Sequence, residues 1–166
     1  EQNPFIILLI IILVILIILN CMMIFNFSAE KSEKSDETSG RVVNTIIEIN
    51  PRTKNLNQKE KEIQKEKIVK PVRKTAHFSI YCTLGLLIYM FLSTYDINSK
   101  KKILISIMLS IIYACTDEIH QLFIPGRSGQ IKDVLIDSAG ALFGIIIGII
   151  VLNVINKRKE INKNGN

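Results

Sequence analysis

The stretch FIILLIIILVILIIL, Phe5–Leu19, contains no polar side chain, and it limits what this chain can fold into more than any other feature. The run stays apolar as far as Phe27 apart from Asn20 and Asn26. A helix needs about 20 apolar residues to cross the hydrocarbon core of a bilayer, so a membrane span is expected over 5–25. A secretory signal would carry a shorter apolar stretch, a basic start and a small-residue cleavage site, and none of these is convincing. The tetrapeptide ILNC, ending at Cys21, resembles a lipoprotein cleavage site only faintly, because Asn20 suits the position before the cysteine poorly. Three further segments, 78–95, 103–123 and 134–155, qualify as spans with shorter or less pure apolar cores. The expected fold is therefore all-α: a polytopic membrane protein, one domain over 1–166, with a bundle of four transmembrane helices and a polar loop, 28–76, between helices 1 and 2.

The start of that loop, SAEKSEKSDETSG, is rich in serine and charge and is expected to be extended or loosely ordered. In RVVNTIIEIN, apolar residues at 42, 46 and 49 suit an amphipathic helix on the membrane surface. The mixed charges of NQKEKEIQKEKIVK read as a solvated face, and Pro71 is expected to break the chain before the second span. Four spans put both termini and the loop 96–102 on one side, with Lys100, Lys101, Lys102, Lys157, Arg158, Lys159 and Lys163 close to helix ends. The long loop carries twelve Lys/Arg diluted by eight acids. Positive charge orients a membrane protein most strongly from short loops near the helices, so cytoplasmic termini and an external long loop are expected. The net charge of +6 then favours anionic lipid at the inner surface. No basic–aromatic pattern points to nucleic acid. Cys21, Cys82 and Cys115 lie one in each of three apolar runs, without metal or disulfide spacing, and read as small fillers.

Helical phase places the polar residues of the last three spans. Lys74, His77, Tyr81 and Gly85 share one face. Ser106, Ser110, Tyr113, Asp117 and His120 or Gln121 form a second stripe. Asp133, Asp137, Gly140, Gly144 and Gly148 form a third, and a double G-x-x-x-G marks where helix backbones approach closely in lipid. The two aspartates prolong that ridge and so should point into the bundle. The connectivity gathers Lys74, His77, Asp117, Glu118, His120, Gln121, Arg127, Asp133 and Asp137 at one end. Ionisable groups at membrane depth generally face an interior and pair with one another.

Several chemistries fit this cluster. No cofactor is demanded, but His77 or His120 with Asp117, Glu118, Asp133 or Asp137 could hold a divalent metal. The same pairs would serve general acid–base catalysis. A purely structural network would pair Arg127 with Asp133, and Lys74 with Asp117 or Asp137. The Pro125-Gly126 turn presents Arg127, whose guanidinium forks onto phosphate or carboxylate; with Arg73 and Lys74 it would suit a lipid phosphate or an acidic envelope ligand.

RKTAHFSIYCTLG (Arg73–Gly85) and DEIHQLFIPGRSGQIKDVLIDSAGALFG (Asp117–Gly144) resemble the two signature blocks of VanZ-like proteins, and FNFSAEKSEKSDETSG resembles the segment after that family's first span. A longer Lys/Glu-rich insert before Pro71 departs from the pattern. The resemblance implies a small multi-pass protein of the bacterial cell membrane, linked to tolerance of teicoplanin-type glycopeptides. Its partners would be membrane lipids and a lipid-linked cell-wall precursor or the glycopeptide. Carried over by position, it marks Arg73, Lys74, His77, Phe78, Tyr81 and Gly85, and then Asp117, Glu118, His120, Gln121, Pro125, Gly126, Arg127, Asp133, Asp137 and Gly140. It names no reaction.

Overall fold

The computed structural model describes residues 3–164, and these form five helices. The apolar run makes α1, Pro4–Ala29, whose N-terminus is closed by the Asn3 side chain accepting from the Phe5 amide at 3.0 Å. It is followed by α2 (Ser32–Ile49), α3 (Gln58–Leu92), α4 (Ser99–Gln121) and α5 (Ile131–Asn164). Among the described residues four helices, α1, α3, α4 and α5, are long and apolar enough to cross a membrane. Asn57 and Glu60 form a reciprocal capping box at the start of α3, with bonds of 2.9 and 3.0 Å. Asn98 caps α4 by accepting from the Lys100 amide.

The segment between the first two spans differs from the expectation. It is helical from Ser32 rather than loosely ordered, and Pro71 lies inside α3 without ending it. At 1.5 Å per residue the 35 residues of α3 run about 52 Å, well beyond a bilayer core of about 30 Å. The projecting half gives α2 a surface to pack on, and that packing offsets the cost of ordering a polar sequence. The buried side of α2 carries Val43 and Ile47, whereas Val42, Ile46 and Ile49 are exposed. Its packed face is thus one residue out of phase with the surface-helix expectation. Proline removes one helical hydrogen bond, and Pro71 is exposed, where water can satisfy the freed carbonyl.

Within the bundle α3 is central and packs on each of the other four helices. Its broadest contact is with α5, along Gly140, Gly144 and Gly148, all buried. A Cβ at Gly140 would meet the Phe78 carbonyl, and one at Gly144 the Cys82 carbonyl; in return a Cβ at Gly85 would meet that of Ala141. The ridge therefore lets two backbones touch. Ser106 and Ser110 are buried on α4 but donate to carbonyls of their own helix, Lys102 O and Ser106 O, at 2.8 and 2.9 Å. They act as small packing residues whose hydroxyls are satisfied within α4. Tyr113 donates to the Cys21 carbonyl at 2.8 Å and ties α4 to α1.

Candidate functional site

The end of α1, the middle of α3, the end of α4 and the start of α5 meet on one side of the bundle, beneath α2. Ser28, fully buried at the end of α1, donates to Asp117 Oδ2 at 2.8 Å. Gln121 lies one turn after Asp117 and donates through Nε2 to Ser28 Oγ at 3.0 Å and to Glu118 Oε1 at 3.2 Å. Glu118 in turn accepts from the Gln130 amide at 2.8 Å, placing a carboxylate at the N-terminus of α5 where the free amides favour it.

The loop from α4 to α5 turns at Gly126, whose φ of 78° lies in the left-handed region that favours glycine. That turn brings Arg127 under the end of α1. Its guanidinium donates to Phe27 O and Glu30 O, both at 2.8 Å, and reaches Gln121 Oε1 at 3.4 Å. Half burial and the neighbouring Arg73 charge hold Arg127 below its ordinary pKa, but guanidinium keeps its proton across any physiological range. Arg127 thus caps a helix C-terminus and does not pair with Asp133.

The other expected ion pairs are also rearranged. Lys74 pairs with Asp133 at 2.6 Å rather than with Asp117 or Asp137. Arg73 reaches across to Asp36 of α2 at 2.9 Å. Asp137, only 1% exposed, is left with neither lysine nor arginine, and neither of its oxygens has a hydrogen-bond partner among the described residues. His77 Nδ1 lies 3.9 Å from Asp137 Oδ1. One donor atom each from His77, Asp117 and Asp137 fall within 4.8 Å of one another. The hydroxyl of Tyr81, fully buried, also lacks a hydrogen-bond partner among the described residues. His120 is elsewhere: its ring stacks on Phe25 with centroids 4.6 Å apart.

Of the residues singled out from sequence, the structure gathers Arg73, Lys74, His77, Glu118, Gln121, Arg127, Asp133 and Asp137 around one polar cavity of about 90 Å³. Ser28 and Ser32 join the neighbourhood without having been singled out. A serine ending an apolar run is too common a feature to signal a site. A second, largely apolar cavity of about 190 Å³ lies between α1, α2 and α3, lined by Ile24, Phe27, Val42, Val72, Ile80 and Tyr81 among others. Arg73 and His77 line both. The result is a polar chamber of mixed charge beside an apolar one, separated by a histidine and an arginine.

The family model described as VanZ/LLP1 matches residues 6–152. No curated protein and no solved structure matches the chain.

Proposed function

From membership of the VanZ/LLP1 family, to which this chain belongs, we propose that it binds one amphiphilic lipid or lipid-linked precursor of the bacterial envelope and so contributes to tolerance of teicoplanin-type glycopeptides. The observation that carries this reading is the pair of adjoining cavities with Arg73 and His77 in common. A phosphate-bearing or hydroxylated head group suits the polar chamber, and an acyl or isoprenoid chain suits the apolar one. Pockets of this kind bind through apolar surface and take their specificity from a few placed polar groups.

The test combines native mass spectrometry of the purified full-length protein with drug tolerance of cells that express it. Wild-type protein is expected to retain a lipid and to raise tolerance. His77→Ala removes one of the two groups common to both cavities, and Val42→Trp fills the apolar one from an exposed position. Each should lower lipid occupancy about tenfold or more, the worth of one charge-assisted hydrogen bond or a blocked chain site, at unchanged abundance. Full occupancy and tolerance in both variants would sink the proposal. An enzymatic reading is favoured by one further observation, the His77 imidazole facing the Asp137 carboxyl at 3.9 Å. It requires that lipid extracts of wild-type and His77→Ala cells differ in a chemical species; identical extracts leave binding alone.

The proposed orientation, with both termini inside, is supported by Lys100, Lys101 and Lys102 at the start of α4 and by the basic end of α5. With these in the cytoplasm, α2 and both cavities face outward, toward glycopeptides and precursors. An epitope inserted in the turn 50–57 should then be labelled by antibody on intact cells. Labelling only after permeabilisation reverses the orientation.

A further inference from the structure

We propose that His77, Asp117 and Asp137 form a binding site for one first-row divalent metal ion beside the polar cavity, which His77 and Asp137 line and Asp117 backs. Asp137 raises the problem that the ion solves. Its carboxyl is 1% exposed, and both oxygens lack a hydrogen-bond partner among the described residues. A buried carboxyl is costly without a partner, whether ionised or carrying a proton that nothing accepts. The cations nearby are committed, Lys74 to Asp133 at 2.6 Å and Arg127 to the Phe27 and Glu30 carbonyls at 2.8 Å.

The distances suit an ion better than a direct bond. His77 Nδ1 and Asp137 Oδ1 are 3.9 Å apart, too far for a hydrogen bond. A single ion with bonds of about 2.0–2.2 Å to each ligand spans that gap. Asp117 supplies the third arm: one donor atom from each residue lies within 4.8 Å of the others, so the side chains need to close in by only a few tenths of an ångström for all three to reach one ion. Ser28 Oγ and Gln121 Nε2 both approach Asp117 Oδ2, at 2.8 and 3.4 Å, and leave Oδ1 for coordination. Outer hydrogen bonds of this kind hold a ligating carboxylate in place.

Chemistry narrows the ion. One imidazole and two carboxylates suit Zn²⁺, Mn²⁺ or Fe²⁺, whereas Ca²⁺ and Mg²⁺ prefer all-oxygen sets and Cu⁺ prefers sulfur. Two carboxylates also balance a divalent charge, and the three ligands come from α3, α4 and α5, so the ion would hold three helices together. Three protein ligands leave coordination positions facing the cavity, where a head-group phosphate oxygen would bind. That last step rests on the lipid reading; the metal site itself does not.

The test uses the purified full-length protein in detergent, stripped with EDTA and reloaded with Zn²⁺ or Mn²⁺ alone. Elemental analysis should find about one ion per chain, and loading should raise the melting temperature by stabilising only the folded form. Asp137→Asn, nearly isosteric, should weaken binding about tenfold or more and abolish the thermal shift. His120→Ala should keep the ion, because its ring stacks on Phe25 away from the cluster. Wild-type protein that takes up no ion, or Asp137→Asn that keeps full affinity, overturns the proposal whether or not a lipid binds. One ion per chain with no retained lipid supports the metal site and removes the lipid reading.

Discussion

Gly144→Ala should strip the bundle of most of its stability, the largest effect expected of any single methyl group in this protein. The added Cβ would land on the Cys82 carbonyl of α3, and the Leu86 amide lies 2.9 Å from the same point. Backbone atoms of a packed helix cannot rotate away as a side chain does. Relief requires α3 and α5 to separate, which also loosens the reciprocal contact of Gly85 with Ala141 and that of Gly140 with Phe78. Ordinary overpacking in a core costs about 1–3 kcal/mol. Prising apart this helix pair should reach or exceed the top of that range, because every contact along the ridge is weakened together. Gly148→Ala is the internal comparison. There the new methyl meets a Tyr89 ring carbon at 2.8 Å, and a side chain can shift. Thermal unfolding in detergent should therefore rank Gly144→Ala far below Gly148→Ala, and equal melting temperatures would refute the close-contact account. Helix association in lipid depends on packing of this kind rather than on hydrophobic burial, so few changes elsewhere can compensate.

Arg127→Ala should destabilise the protein by about 2–4 kcal/mol, the cost of leaving partly buried acceptors unpaired once a charged donor is removed. The guanidinium reaches Phe27 O, Glu30 O and Gln121 Oε1, and so links the end of α1 to the end of α4. Arg127→Lys should recover little, since an ammonium cannot reproduce a planar fork aimed at two carbonyls. The measurement is again thermal unfolding, taken beside lipid occupancy. A variant that melts like wild type but loses lipid would show that the guanidinium serves the ligand and is not the clasp described above.

The four spans were legible because a mostly apolar run of about 20 residues has few other uses. So was the glycine ridge, and so was the convergence of His77, Asp117 and Asp137, because helical phase and an even number of crossings dictate which residues share an end. Phase was less decisive at His120 and Gln121. At 100° per residue they fall about 60° to one side and about 40° to the other of Asp117. Sequence alone left both in play, whereas the packed bundle turns Gln121 toward Ser28 and His120 toward Phe25. The packed face of α2 escaped for a related reason. Val42, Ile46 and Ile49 form one apolar row and Val43 and Ile47 another, and only the projecting half of α3 selects the second.

By itself, then, the sequence determined the number of membrane helices, their polar faces and the end of the bundle where those faces gather. Periodicity is a property of one helix and carries that much. The tertiary structure alone decided which groups meet across the gap: Lys74 with Asp133, Arg127 with the end of α1, and His77 beside a carboxyl that has no hydrogen-bond partner among the described residues. Those choices depend on side-chain reach and on competition among neighbouring charges, and neither exists until the helices are packed.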